Sequence, residues 1–218
     1  MPHTHAANPW MKRIAVTLLL LVLGIAAGAM ISRHGPPPAD GGTAAKLLAP
    51  HTLQPFSLTR NGVSQLDNDD LRGKWSLLFF GYTHCPDVCP ATLAELARAY
   101  ELLAQEPGVL DDTQFIFVSV DPARDTPDAL AAYAGYFNPA FLAVSGDPEQ
   151  LAALARQLDI RFRRGAGSDE AYNVDHSSAI LLIDPQVRYH ARIEAPHHAQ
   201  DIRRQYLEIR RQTPTPPS

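Results

Sequence analysis

The sequence has almost no cysteine. Cys85 and Cys89 are the only two in 218 residues, and three residues separate them within GYTHCPDVCP (81–90). A chain of this length buries a self-sufficient hydrophobic core, so the fold does not need a disulfide to hold it together. The spacer is one residue longer than in the C-x-x-C motif of dithiol oxidoreductases. The two cysteines could therefore be a redox-active pair or two ligands of a metal site. A purely structural disulfide is the least favoured interpretation.

Acidic residues are missing from positions 1–34, although the whole chain has a net charge of −4. These positions carry Lys12, Arg13 and Arg33, so the rest of the chain has 16 basic and 23 acidic residues, a balance of −7. Proteins that bind nucleic acid usually show the opposite charge excess. We therefore expect no nucleic-acid partner.

Charge is also missing from Ile14–Ile31, an uninterrupted apolar run of 18 residues. As a helix this run would span roughly 27 Å, close to the ~30 Å thickness of a bilayer core. Lys12 and Arg13 precede it, so the positive-inside rule places residues 1–13 in the cytoplasm. The sequence thus predicts a single-pass inner-membrane protein with its globular part on the periplasmic side.

A cleaved signal peptide is the alternative, because Ala27-Gly28-Ala29 offers small residues at the spacing of a cleavage site. The run is longer than the usual apolar segment of such peptides, which favours an uncleaved anchor. No cysteine directly follows it, which excludes a lipoprotein. In either case the globular part works outside the cytoplasm, where exposed neighbouring thiols become a disulfide unless a metal or a reductant intervenes.

Composition divides the remaining chain into three parts. Residues 32–50, which include GPPPADGGTAA, are predicted to be a linker because they are rich in Pro, Gly and small residues. Residues 51–211 are predicted to form one globular domain, without internal repeats. Residues 212–218 are Pro-rich and are predicted to be disordered.

Apolar strands alternate with amphipathic helices through the domain. A hairpin is predicted around Asn61-Gly62, and a long polar loop over 165–173. Four buried strands are predicted at 75–82, 114–120, 141–145 and 179–183, four helices at 90–103, 127–136, 148–158 and 199–210, and an antiparallel last strand at 188–193. This order is that of a thioredoxin-like α/β fold, with a central mixed sheet flanked by helices and an N-terminal β-hairpin extension.

The cysteines fall between the strand that ends near Tyr82 and the helix predicted to start at Pro90. In open α/β sheets, functional sites usually lie at the carboxyl ends of the strands. The helix N-terminus is expected to favour the Cys89 thiolate at neutral pH, and the spacer lets both sulfurs point to the same side. Asp87 and His84 add charge and hydrogen-bonding groups around the pair, and we expect neither to be a ligand.

Two thiolates would select copper(I) or zinc over hard cations, but they leave the coordination incomplete. His176 is the best third ligand, because in a thioredoxin-like fold the segment before its strand packs against the cysteine loop. Asp175 would orient its imidazole as an outer residue of the site. The other histidines are expected to be remote from the site or on the surface: His3, His5, His34, His51, His190, His197 and His198.

Three motifs together closely resemble the Sco/SenC family: GYTHCPDVCPATLAEL (81–96), VSVDPARDTPDAL (118–130) and YNVDHSSAILLIDP (172–185). These proteins are membrane-tethered, thioredoxin-like copper proteins that help assemble the binuclear copper site of cytochrome c oxidase. The resemblance covers 53–210. It implies that one copper ion, as Cu(I) or Cu(II), is bound by Cys85, Cys89 and His176, and that oxidase subunit II is a partner, with another copper chaperone as a second candidate.

Asp121, Arg124 and Asp125 also match the family motif. We expect them to form a loop network that caps the following helix, and docking of a partner is the alternative.

Two functions remain in competition. The leading hypothesis is a copper-binding assembly factor. The second is a thiol-disulfide oxidoreductase that reduces partner cysteines with Cys85 and Cys89 as its redox-active pair, although it would not need His176. A peroxiredoxin-like peroxidase is weaker, because Tyr82 stands where that chemistry favours threonine or serine.

Overall fold

The computed structural model describes residues 45–60, 64–168 and 171–213, together with Trp10. The predicted membrane anchor (14–31), the rest of residues 1–13 and residues 214–218 of the tail lie outside this part. Among the described residues, no helix combines the length and the apolar character needed to cross a bilayer.

Strands and helices alternate along the described chain. The strands are β1 (Lys46–Thr52), β2 (Ser57–Arg60), β3 (Ser64–Asp67), β4 (Trp75–Gly81), β5 (Thr113–Ser119), β6 (Leu142–Ser145), β7 (Phe162–Gly167), β8 (Tyr172–His176), β9 (Ile180–Ile183) and β10 (Arg188–Ile193). The helices are α1 (Asn68–Leu71), α2 (Val88–Leu103), α3 (Pro127–Phe137), α4 (Pro148–Gln157) and α5 (Ala199–Gln212). The buried strands, the antiparallel last strand and the four long helices predicted in the domain are confirmed, with ends that differ by at most two residues.

One mixed sheet organises the domain, in the order β1-β10-β9-β4-β5-β6-β2-β3. Strand β4 lies at its centre and is buried at every position, as its continuous apolar sequence predicts. It runs parallel to β5 and antiparallel to β9. The antiparallel pairing brings the start of β9 beside the end of β4, which is the edge where the cysteine loop leaves the sheet.

The predicted N-terminal hairpin is confirmed. Strands β2 and β3 pair antiparallel, with Ser57 opposite Asp67 and Arg60 opposite Ser64, while the residues of the predicted turn (61–63) lie outside the described part. Strand β2 also pairs with β6, so the hairpin extends the central sheet at one edge.

The domain begins earlier than the predicted residue 51. Residues 46–50 belong to β1, an edge strand that pairs antiparallel with β10, with Lys46 opposite Arg192 and Leu47 opposite Ala191. The Pro- and Gly-rich composition ends at Ala45, and Leu48 packs against the hydrophobic core. Residues 46–50 therefore belong to the domain and not to the linker.

The predicted polar loop over 165–173 is wrong. Strands β7 and β8 pair with each other as a separate two-stranded antiparallel sheet. In β8, Tyr172 and Val174 are buried while Asn173 and Asp175 are exposed. This alternation is typical of a half-buried strand, and the polar residues between its apolar positions obscured it.

Candidate metal centre

The cysteine loop connects β4 to α2 and places both sulfurs on one side. Helix α2 begins at Val88, two residues before the predicted start at Pro90. Cys89 is therefore the second residue of the helix. The Cys85 N–H donates to the Tyr82 carbonyl at 3.3 Å, and the Cys89 N–H donates to the Cys85 Sγ at 3.4 Å. The Cys85 sulfur thus faces one of the N–H groups that a helix start leaves without a partner.

His176 reaches this loop from a distant part of the sequence, 87 positions after Cys89. It is the last residue of β8, just before β9, and its Nε2 lies 3.2 Å from the Cys89 Sγ. The ligand atoms of Cys85, Cys89 and His176 all lie within 4.8 Å of one another. The structure therefore brings together the three residues that the sequence selects.

Hydrogen bonding fixes which imidazole nitrogen is available. The His176 Nδ1 lies 3.0 Å from the Ser177 carbonyl oxygen, which can only accept, so Nδ1 carries the proton. Burial lowers the pKa of His176, which favours the neutral imidazole. The rings of Tyr82 and Phe79 pack edge-on against it, with centroids at 5.9 Å and 6.2 Å. Nε2 therefore presents a lone pair to the two sulfurs, as a metal ligand must.

Asp175 does not orient the imidazole, so that expectation is wrong. Its carboxylate pairs instead with Arg163 at 3.2 Å and is largely exposed. Neighbouring residues of a strand point to opposite faces, so Asp175 faces away when His176 faces the cysteines. The Ser177 carbonyl takes the orienting role.

The Cys89 thiol differs from expectation as well. Its side chain is fully buried, and burial raises its pKa well above the ordinary value, with the neighbouring Cys85 adding to the rise. Desolvation therefore outweighs the helix N-terminus that was expected to favour the thiolate. Both cysteines are free thiols. Cys89 keeps its proton at neutral pH, and its S–H donates to the bare Nε2 of His176.

Gly81 is a residue of the site that sequence reasoning missed. A Cβ built on it would lie 2.7 Å from the Cys89 Sγ and 2.8 Å from the Phe117 ring. Only glycine lets the sulfur and the ring approach the end of β4 so closely. The available signal was a glycine that ends a buried strand directly before the cysteine loop.

Asp125 holds the cysteine loop, a role that the capping hypothesis did not include. Its buried carboxylate accepts hydrogen bonds from the Thr83 N–H at 3.0 Å, the Thr83 hydroxyl at 2.5 Å and the Ser119 hydroxyl at 2.6 Å. The cap of α3 is Thr126, whose Oγ1 accepts from the Ala129 N–H at 3.3 Å. The loop after β5 is therefore tied to the residues that precede Cys85.

Asp121 makes the matching connection to the histidine. It accepts from the Tyr172 hydroxyl at 2.6 Å and from the Arg124 Nε at 2.7 Å. The Arg124 guanidinium lies 3.5 Å from the centroid of the Tyr172 ring. Tyr172 begins the strand that ends at His176. The loop after β5 is thus tied to the cysteine loop through Asp125 and to the strand of His176 through Asp121.

Replacing Asp125 with alanine is expected to lower the free energy of unfolding by about 1–3 kcal/mol, because the Thr83 and Ser119 donors lose a buried acceptor. Urea titration of the full chain measures the change. The matched control is Asp128→Ala in the exposed first turn of α3, which should stay within about 0.5 kcal/mol of wild type. Equal effects of the two substitutions would show that the network does not stabilise the fold.

The remaining described histidines lie outside the group. His198 and His84 are exposed, as expected, but His190 and His197 are half-buried rather than on the surface. The His197 Nε2 donates to the Ser178 carbonyl at 2.7 Å, which accounts for its burial. Asp87 is exposed and its side chain does not cap α2. Among the described residues, one group of three or more His, Cys, Asp or Glu side chains is placed to hold a metal ion, and it consists of Cys85, Cys89 and His176.

Comparison with known proteins identifies the family. The sequence model of the SCO1/SenC family matches residues 44–210. This chain belongs to the SCO1/SenC family. A relative in Arabidopsis thaliana, the mitochondrial protein SCO1 homolog 1, is 37% identical over 135 residues. That alignment covers 62% of this chain but 40% of the relative, so the chain spans well under two thirds of that protein's length.

Solved structures of the family share the fold of this SCO1/SenC chain. Copper-bound ScoI of Arabidopsis thaliana is 33% identical with a TM-score of 0.68, covering 73% of this chain and 98% of that one. Copper-bound ScoI of Bradyrhizobium japonicum is 31% identical with a TM-score of 0.64, covering 75% of this chain and 100% of that one. The mixed sheet flanked by helices is thus the fold of this family.

Proposed function

We propose that this protein binds one copper ion through Cys85, Cys89 and His176 and supplies it during assembly of cytochrome c oxidase. The observation that carries the proposal is the grouping of two thiols and one imidazole nitrogen within 4.8 Å of one another. Family membership and the copper-bound relatives support copper as the metal.

The chemistry of the donor set suits copper. Two sulfurs and one nitrogen favour copper(I) or zinc over magnesium and calcium. Structural zinc usually takes four protein ligands, whereas this group offers three. Because Cys89 keeps its proton in the metal-free protein, loading copper must release that proton, and affinity should rise with pH.

The acceptor that we propose is the binuclear copper site of oxidase subunit II, with another copper chaperone as the donor. A site with three protein ligands leaves room for an incoming ligand, so transfer can proceed by ligand exchange. Cys89 is fully buried, whereas Cys85 retains 9% of its exposure and His176 is half-buried. An incoming ligand would therefore approach from the side of Cys85 and His176.

Residues 14–31 are proposed to anchor the protein in the inner membrane, with residues 46–213 on the periplasmic side. The support for this placement is the uncharged apolar run and the basic pair that precedes it. A tether would keep the domain at the membrane surface where the oxidase is assembled.

A thiol-disulfide oxidoreductase is the second candidate, and the two free thiols favour it. Cys85 is the more exposed sulfur, so its thiolate would attack the partner disulfide and release one partner thiol. Cys89 would then give up its proton and attack the Cys85 sulfur, which releases the second partner thiol and leaves a Cys85–Cys89 disulfide. Both activities could occur in turn, because copper ligands on a partner must be reduced before they bind the metal.

Complementation of a bacterium that lacks its own family member tests the proposal. The full chain is expected to restore the absorbance of the binuclear copper site and oxidase activity, and His176→Asn is expected to restore neither at equal protein level. A strain in which His176→Asn complements fully, while Cys85→Ser fails, would instead support the reductase.

A further inference from the structure

A basic surface borders His176. Arg161 and Arg163 flank a shallow hollow beside this histidine, and Phe162, Asp175 and Ser177 complete its lining. Both arginines are exposed. The sign of this surface is opposite to the net charge of the chain, −4. We call Arg161 and Arg163 the arginine rim.

Backbone hydrogen bonds fix the rim relative to the candidate ligand. The Ser177 N–H donates to the Arg161 carbonyl at 2.9 Å, and the Arg161 N–H donates to the Ser177 hydroxyl at 3.0 Å. In the next positions Phe162 pairs with His176 and Arg163 pairs with Asp175. The rim is therefore held one residue away from His176 along the β7–β8 sheet, and His176 itself contributes to the lining of the hollow that the rim flanks.

The charges of the rim are only weakly compensated. Among the described side chains, no carboxylate forms an ion pair with Arg161. Arg163 pairs with Asp175, but the two side chains are 82% and 70% exposed. Such an exposed pair contributes at most about 1 kcal/mol, so another carboxylate can replace Asp175 at little cost.

We propose that the arginine rim docks an acidic segment of the protein that exchanges copper with this site, and that a carboxylate of this segment displaces Asp175 from Arg163. This inference rests on the proposed function, because it assigns the partner of the same site. Complementary charge at the rim speeds encounter and fixes the register of the bound segment. Exposed charges are screened by salt, so docking weakens as ionic strength rises.

Titration of the full-length, metal-free protein with a synthetic glutamate-rich peptide tests the rim. Binding is measured from the changes in backbone chemical shifts at low ionic strength. Wild type is expected to bind, with shifts centred on residues 161–163 and 175–177, and to release the peptide in high salt. Arg161→Glu/Arg163→Glu should weaken binding at least about tenfold. Asp175→Asn should strengthen it, because the internal competitor is gone. A lysine-rich peptide of the same length should not bind.

Arg156→Glu/Arg211→Glu is the matched control, because both arginines are exposed, lie at the ends of α4 and α5, and change the net charge equally. The proposal is overturned if wild type does not bind the acidic peptide, or if the control weakens binding as much as the rim variant. Copper loading of each protein is measured separately. A rim variant that loads copper like wild type separates docking from metal binding, and a wild type that loads no copper contradicts the proposed function alone.

Discussion

Replacing His176 with alanine is expected to weaken copper(I) binding by at least about 100-fold. Loss of a group that only supports a ligand typically costs 10–100-fold in metal affinity, and loss of the ligand itself should cost more. The remaining thiols of Cys85 and Cys89 cannot complete the site, since the described residues offer no other histidine within the group. Competition with a chromophoric copper(I) chelator measures the affinity.

The control for this experiment is His198→Ala, an exposed histidine directly before α5 whose side chain does not cap that helix. It should bind copper like wild type. Exchange of the two thiols with a small aromatic disulfide should also be little changed in His176→Ala, because that reaction requires only Cys85 and Cys89. Unchanged copper affinity in His176→Ala would rule out the three-ligand site.

Replacing Gly81 with alanine is expected to lower both stability and copper affinity. The added methyl group would lie 2.7 Å from the Cys89 Sγ and 2.8 Å from the Phe117 ring. Gly81 pairs with Ser119 of β5, and its carbonyl accepts a hydrogen bond from the Val120 N–H at 2.9 Å, so the backbone resists a shift that would make room. Overpacking of this kind costs about 1–3 kcal/mol. The Cys89 sulfur must move away from its place beside the His176 imidazole. Copper affinity should therefore fall together with the free energy of unfolding.

Gly135→Ala in α3 is the control, because a Cβ at that position meets no atom within 4 Å. This substitution should stabilise the protein slightly, by about 0.4–1 kcal/mol, since alanine suits a helix better than glycine. Urea titration of the two variants gives opposite signs if the close packing at Gly81 is real. A Gly81→Ala protein as stable as wild type would contradict it.

The part of the site that follows from local pattern was predictable from the sequence. The buried run Trp75–Gly81 and the helix that begins beside Cys89 place the cysteines at the end of a central strand. The apolar run of β9, entered just after His176, brings this histidine to the same edge. These predictions depend on periodicity and chain order, which the sequence states directly.

The rest depends on contacts between distant residues. The hydrogen bonds that Thr83 donates to Asp125 and Tyr172 donates to Asp121 link residues 42 and 51 positions apart, and no local pattern encodes them. The burial of Cys89 decides the direction of its pKa, and the missing side chain of Gly81 lets the Cys89 sulfur lie against the end of β4. Asp175 was expected to turn toward His176 because it is adjacent in sequence, but the β7–β8 pairing turns it outward.

X-ray absorption at the copper edge, on the full chain loaded with copper(I), tests the central claim most directly. Wild type is expected to hold one copper per chain in a shell of two sulfurs and one nitrogen, and His176→Ala is expected to lose the nitrogen. A shell of sulfur alone in wild type, or a nitrogen that persists in His176→Ala, would contradict the site formed by Cys85, Cys89 and His176.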